Sequence, residues 1–438
     1  MNPVSNDPPQ SESSPSTTTL DCVLTRSAAL HARIMQRSVQ NLLPYDRRML
    51  EAPKPFAVVR ERNGTVFEGL NFTSSDYLGL SAHPLVRQAA ASAIHRLGTS
   101  SAGSAALTGL TDEADALAGS LGDLLHLPHV ALFPSGWAAG HGAMRALADP
   151  RDAIVMDASI SSGVRCGAAC STRRIHTFRH LDLDHARRCL RRLRSMDRDQ
   201  SIFLITCGLF PSDGACADLS SLHQLCAEFG ACLVVDASHD LACTGSEGAG
   251  EIEIQSLLGM VPVIIGSLSK TLAGSGGFVA VRSAELCDYI RARSPAYLFS
   301  STISPSQVAA ATQALAIVRS PEGAARRAAL RRSVVILRAA LARCGLEPGG
   351  GLGPIVSIPI GSETAARHAV RRCAEQGVLL NLLEYPVIPK GRSRLRLQIM
   401  TGHEAALMPE VAEKIALAVR EARVAASEID APHTFERV

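Results

Sequence analysis

Two apolar runs in the chain end in groups that could do chemistry. CLVVD at 232–236 leads into ASHD, and VPVIIG at 261–266 leads into SLSK. If both runs are strands of one parallel sheet, Asp236, His239, Ser267, Ser269 and Lys270 stand on a single rim, where ligands of such sheets bind. A lysine that ends a buried strand loses solvation, which lowers its pKa and suits its amine to Schiff-base chemistry. An acid on the neighbouring strand end would balance a cationic ring. The simplest cofactor that uses one lysine and one buried acid in this way is pyridoxal phosphate, whose protonated ring nitrogen needs an anionic partner. Lys270 would then be the attachment point and Asp236 the partner. Taken alone, the two segments fit a structural ion pair at strand ends equally well.

A third segment adds a phosphate site. VALF at 130–133 runs into SGW at 135–137, and the helical stretch AAGHGAMRALA follows. A glycine turn opening a helix leaves backbone amides free for an anion, and the helix dipole adds to them. Gly136 and Trp137 would supply those amides. LAGSGGF after Lys270 could pass for a dinucleotide loop, but it precedes a strand rather than following one, which speaks against nicotinamide binding.

The elements that must position these groups recur along the chain. The runs VALF, AIVM (153–156), IFLIT (202–206), CLVVD, VPVIIG and GFVAV (277–281) alternate with helical stretches. Parallel strands need long crossovers, so this alternation predicts an α/β fold with a mostly parallel sheet covered on both faces. We place a large domain at 75–310. A Pro- and Ser-containing cluster at 300–306 and a long Ala-, Leu- and Arg-rich helical pattern lead into a smaller α+β domain at 311–438. In that domain GPIVSIPIG and RLRLQIM are expected strands, while AARHAVRRCAEQG and the stretch from Ala405 are expected helices. Residues 21–74 are expected to be a helical segment, and residues 1–20, rich in Ser, Pro and Thr, a disordered tail.

Whole-chain properties bound the function. A chain of 438 residues with 46% hydrophobic and 4% aromatic residues fits an Ala- and Leu-rich α/β protein with two domains. The formal net charge of +3 is small, and the basic residues are scattered except in HARRCLRRLRSMDR at 185–198. That run reads as a solvated helix face, or as a docking surface for an acidic carrier protein; it gives no case for nucleic acid. Twelve cysteines dispersed through apolar segments, without metal-ligand spacing, read as reduced thiols of a cytoplasmic protein, with no metal site. The N-terminus lacks the pattern of a signal peptide, and no apolar run is long enough to predict a membrane span.

In register from about residue 70 to 403, the chain resembles the α-oxoamine synthases, a family that includes 8-amino-7-oxononanoate synthase, 2-amino-3-ketobutyrate ligase and serine palmitoyltransferase. NFTSSDYLGLSAHP, GTSSAGSAALTG, FPSGWAAG, FRHLD, FPSDGACADL, VDASHDLACTG, SLSKTLAGSGG and RLRLQIMTGH follow in family order. The resemblance implies the fold of pyridoxal-phosphate enzymes of type I. It makes Lys270 the Schiff-base lysine, Asp236 the ring-nitrogen partner and His239 a hydrogen-bond donor to the ring hydroxyl. Gly136 and Trp137 would offer amides to the phosphate and Ser267 its hydroxyl. Ser300 and Ser301 resemble a pair that reaches the phosphate of a neighbouring subunit, which implies a homodimer. In RLRL, Arg396 resembles the arginine that holds the amino-acid carboxylate, with Arg394 as the structural neighbour that competes for the assignment.

The departures from the family concern the layer facing the substrate. Ser75 stands where the family often has Asn, Pro211 for Ser, Cys207 for Glu, Gly140 for Asn and Asp240 for Gly. The family's His-Ala-Ser segment, whose histidine stacks on the ring, reads Asp157-Ala158-Ser159 here. Asp157 then either faces the ring, as a base, or aligns with an earlier acidic residue and leaves the stacking position to another group. The implied reaction joins an amino acid to an acyl thioester, on coenzyme A or a carrier protein, to give an α-amino ketone with loss of a proton or carbon dioxide. Transamination or simple decarboxylation on the same cofactor, and an inert partner subunit, are the alternatives. A divergent member of the family is expected.

Overall fold

A computed structural model of the protein describes residues 19–430. The tail expected at 1–20 lies outside the described residues up to residue 18, and a helix begins at Thr19. The large sheet has seven strands, numbered here in chain order: β1 His129–Phe133, β2 Ala153–Asp157, β3 Ile175–Phe178, β4 Ile202–Cys207, β5 Cys232–Asp236, β6 Val263–Ser267 and β7 Gly277–Val281. Their spatial order is β1-β7-β6-β5-β4-β2-β3. Only β7 is antiparallel to its neighbours, so the other six strands point the same way and their carboxyl ends share one rim. Strands β2, β4, β6 and β7 are buried along their whole length, as a sheet covered on both faces requires.

Strand β3 was not expected. Its sequence, IHTF, carries only half-buried or exposed residues before Phe178, because it is an edge strand paired on one side only, and such a strand shows no continuous apolar run. The run expected from Val261 starts as a strand at Val263, after Pro262, which has no amide to donate. The single long helix expected after residue 306 is two helices, Pro305–Val318 and Pro321–Arg343, because Ser320 caps a new start and Pro321 sits in its first turn.

The helical expectation for residues 21–74 holds only for Thr19–Val39. Beyond it run the strands Arg48–Met49, Phe56–Arg60 and Val66–Asn71. The signal was Asn63-Gly64 between two apolar runs, a hairpin turn that needs positive φ, and Gly64 has φ 92°. The last of these strands pairs in parallel with Val378–Leu379, so the N-terminal hairpin is built into the sheet of the C-terminal part. The other C-terminal sheet joins Ile355–Gly361, Asn381–Leu383 and Ser393–Gln398 and carries the two candidate arginines. Helices Glu363–Glu375 and Met408–Asp430 match the expected helical segments.

Candidate active site

The shared rim brings the strand ends together around a cavity of about 310 Å³. Gly136, Trp137, Cys207, Pro211, Asp236, His239, Ser267 and Lys270 are among the residues that line it. Each side arises from local sequence. Helix Gly136–Leu147 begins where β1 ends, and Ser135 caps it by accepting from Ala138 N at 3.0 Å. The amides of the first turn have no carbonyl inside the helix to bond, which leaves Gly136 and Trp137 facing the cavity as donors. Glycine at 136 is a packing requirement. A Cβ there would lie 2.6 Å from Ser267 Cβ, and a Cβ on Gly277 would lie 2.6 Å from Gly136 Cα. This close approach sets the helix N-terminus beside Ser267 Oγ, itself 2.8 Å from Ser269 Oγ. Amides and hydroxyls thus converge on a site for one phosphate.

At the end of β5, Asp236 is buried, and its two oxygens are separately held. Oδ2 accepts from Ser161 Oγ at 2.8 Å and Oδ1 from Ser238 N at 3.0 Å. These bonds hold the carboxylate in a single orientation. His239 Nδ1 lies 2.8 Å from the hydroxyl of Tyr77, a fully buried residue 162 positions earlier in the chain. Burial, and then the charges of Lys270 and Arg396, hold the His239 imidazole well below its usual pKa, so it is neutral. Burial likewise raises the Tyr77 phenol, which keeps its proton. A neutral imidazole that accepts from the phenol at Nδ1 presents Nε2–H as its donor. Lys270 is half-buried, and burial followed by the charge of Arg396 lowers its pKa against the opposing pull of Asp236. Its amine is therefore a better nucleophile than a surface lysine's.

The two candidate arginines are separated by their partners. Arg394 Nη1 lies 3.5 Å from Asp213 Oδ2, an ion pair. Arg396 has no carboxylate among the described ion pairs; its Nη1 donates to Pro211 O at 3.1 Å and its Nε has no partner. Burial lowers its pKa, with Tyr77 acting in the other direction, and its charge is felt at both His239 and Lys270. A half-buried guanidinium without an anion, next to the cavity residues, is suited to a substrate carboxylate.

Asp157 does not line the cavity. Its side chain is fully buried and turned away: Oδ1 accepts from Ser159 N at 2.7 Å and lies 2.8 Å from His180 Nδ1, and Oδ2 accepts from Leu181 N at 2.9 Å. Of the two readings of Asp157, the base over the ring is corrected on this geometry, because both oxygens are already bonded to the segments that follow this strand and its edge neighbour. Ser161 and Ser162, just beyond, line the cavity instead. Ser75 also misses the cavity lining, donating to Gln398 Oε1 at 3.1 Å. Within the single chain Ser300 and Ser301 do not reach the cavity; Ser301 pairs with Ser104 in an isolated bridge.

The other departures have local explanations. Gly140 lies where helices Gly136–Leu147 and Ser162–Ser171 touch, and a Cβ would come 2.9 Å from Val164 Cγ2, so no larger residue fits. Cys207 replaces a charge with a thiol that burial, and then Asp236 and Asp157, push well above its usual pKa. Asp240 is buried, accepts from Glu251 N at 2.8 Å, and is pushed up to about 7 mainly by burial. Tyr77 and Ser161 are the two residues the sequence analysis missed. Tyr77 lies inside the quoted segment NFTSSDYLGL, but no local signal marked its phenol as a partner of His239, and for Ser161 no sequence signal marked its contact with Asp236.

The residues present fit pyridoxal phosphate: one lysine, one clamped acid, a neutral histidine donor, and a glycine-tight cradle of amides and hydroxyls at the far end. None of the twelve cysteines is disulfide-bonded, and no helix among the described residues is long and apolar enough to cross a membrane.

Comparison with known proteins identifies the family and the fold. Residues 68–415 match the family described as aminotransferase class I and II. An 8-amino-7-oxononanoate synthase from Methylococcus capsulatus is 33% identical over 374 residues, 85% of this chain and 94% of that protein. A second, from Geobacter sulfurreducens, is 33% identical over 76% of this chain and 84% of that protein. A serine palmitoyltransferase from S. paucimobilis, solved with bound PLP and myriocin, superposes with a TM-score of 0.85 at 22% identity, covering 92% of this chain and 99% of that one. An 8-amino-7-oxononanoate synthase structure from Francisella tularensis gives a TM-score of 0.68 at 21% identity, covering 81% and 98%.

Proposed function

Because this chain belongs to the aminotransferase class I and II family, we propose that it is a pyridoxal-phosphate-dependent acyltransferase of the α-oxoamine synthase group. It condenses an amino acid with an acyl thioester to an α-amino ketone, with loss of the amino acid's carboxylate as carbon dioxide. The observation that carries this reading is the convergence of Lys270, the doubly clamped Asp236 and the neutral His239 on one cavity, with the unpaired Arg396 beside them. An inert subunit would be free to lose Lys270, and this chain keeps it with a lowered pKa.

When bound, pyridoxal phosphate supplies a protonated ring that withdraws electrons from the substrate's α-carbon. Lys270 holds it covalently. Asp236, fixed by Ser161 and Ser238, keeps the ring nitrogen protonated, and His239 donates from Nε2 to the ring hydroxyl. Gly136, Trp137 and Ser267 bind the phosphate, and Arg396 orients the amino acid through its carboxylate. The Lys270 amine, with its lowered pKa, would also be suited as the base that moves the α-proton. Products of the purified protein, offered a panel of amino acids with acyl thioesters, should show by mass spectrometry the sum of the two substrates minus carbon dioxide and the thiol. Keto acids or simple amines in their place would replace condensation with transamination or decarboxylation.

The active form is proposed to be a homodimer that shares its sites through Ser300 and Ser301. Two large side chains on the segments joined by the Ser104–Ser301 bridge are almost bare, Phe299 at 84% and Leu107 at 82% exposure, and the helix Thr19–Val39 leaves Leu20, Val23, Leu24 and Leu30 exposed. Apolar surface of this kind calls for a covering partner. The protein should sediment as a dimer, and Phe299→Asp should shift it towards monomer with loss of activity; a fully active monomer would rule the shared site out. The acyl group arrives on coenzyme A or on a carrier protein. Helix Leu183–Met196 pairs Arg187 with Glu228 and turns Arg194 to backbone carbonyls, which leaves Arg188, Arg191 and Arg192 exposed for an acidic carrier.

A further inference from the structure

His180 sits two residues beyond the edge strand β3 with a carboxylate on each ring nitrogen. Nδ1 lies 2.8 Å from Asp157 Oδ1, and Nε2 lies 3.1 Å from Asp213 Oδ2. Ionised carboxylates only accept hydrogen bonds, so both nitrogens donate and the ring carries a positive charge. Burial alone would lower its pKa, but the hydrogen bonds and charges of Asp157 and Asp213 outweigh that and push it up to about 9. The ring also stands edge-on to Phe210, with centroids 4.5 Å apart.

Asp213 belongs to the segment 208–216 and is held from three directions. Besides His180, its Oδ2 pairs with Arg394, and its backbone carbonyl accepts from Ser357 Oγ at 3.1 Å. Arg394 and Ser357 lie on neighbouring strands of the C-terminal sheet, whereas Asp157 ends a strand of the large sheet and His180 follows that sheet's edge strand. Two residues before Asp213, Pro211 lines the cavity, and its carbonyl accepts from Arg396. Arg394 and Arg396 alternate along one strand and share a face. The cation at His180 therefore lies between two carboxylates that would otherwise repel each other. It ties the buried end of β2 to the segment that meets Arg396.

We propose that His180 is a positioning residue that pins segment 208–216 to the end of β2 and, through the Pro211 carbonyl, aims Arg396 at the substrate carboxylate. This inference rests on the assignment of Arg396 made above. It predicts a defect confined to ligands that carry a carboxylate, because an amine without one does not use Arg396.

The test uses the protein loaded with pyridoxal phosphate, titrated by absorption with L-alanine and with ethylamine. His180→Gln should retain the bound cofactor and bind ethylamine as the parent does. It should bind L-alanine roughly tenfold more weakly, the scale of a lost charge-assisted hydrogen bond. Amide exchange over 208–216 should accelerate at the same time. Unchanged exchange overturns the pin, and faster exchange with unchanged L-alanine binding overturns its link to Arg396. An equal loss of ethylamine and L-alanine binding overturns it as well, since that marks general damage to the cofactor site. If His180→Gln does not fold, Asp213→Asn, which spares the buried Asp157–His180 contact, is held to the same outcomes. Arg396→Ala separates the two assignments: unchanged L-alanine binding in that variant defeats the carboxylate reading, while the exchange measurement on His180→Gln still decides the pin.

Discussion

Lys270→Ala should lose the aldimine band of the parent protein, and borohydride, which fixes the cofactor to the parent by reducing its covalent link, should find no such link in the variant. The amine removed here does two jobs. As proposed, it would hold the cofactor and would also be the base for the α-proton, a role whose loss typically costs roughly 10²- to 10⁴-fold in rate. Its half-buried position, lowered pKa and place on the cavity lining are the grounds for both. Pyridoxal phosphate should still bind the variant non-covalently, since Gly136, Trp137, Ser267 and Asp236 are untouched. A pyridoxyl group that stays on the denatured Lys270→Ala chain after borohydride treatment, or turnover at the parent rate, would show that the cofactor is attached elsewhere.

Asp236→Ala should weaken cofactor binding and nearly stop turnover. Removing one member of a buried charge pair costs about 3 to 5 kcal/mol, which corresponds to two decades or more in affinity. The comparison with Asp236→Asn separates charge from shape. An amide at 236 keeps the acceptor for Ser161 Oγ or Ser238 N but cannot hold a proton on the ring nitrogen, so the Asn variant should retain more cofactor than the Ala variant yet turn over little better. Spectral titration with pyridoxal phosphate and a single-turnover assay measure the two effects separately. Full activity in either variant would remove Asp236 from the role of ring partner.

Both predictions rest on residues that were legible in the sequence, and for a common reason. Asp236 and Lys270 end apolar runs, and so do the amides at Gly136 and Trp137. A buried strand announces itself locally, and in a mostly parallel sheet the carboxyl ends fall on one rim whatever the exact strand order. The same logic failed wherever an element lacked a continuous apolar run. The edge strand Ile175–Phe178 was missed for that reason, and so was the sheet formed by the N-terminal hairpin, although Asn63-Gly64 announced its turn.

Local sequence, together with the family resemblance, therefore indicated the α/β class, the cofactor and the residues proposed to hold it. Only the tertiary structure decided which polar groups face each other. Tyr77 and His239 meet across 162 positions, and Arg396 is distinguished from Arg394 by Asp213, which comes from another part of the chain. Asp157 illustrates the limit most clearly. Its position at the end of a strand is the same kind of signal that located Asp236, yet His180 and the amides of Ser159 and Leu181 occupy its oxygens. Hydrogen bonds are short-ranged and directional, so whether a strand-end carboxylate faces a cavity or a neighbouring imidazole depends on which loops fold over it.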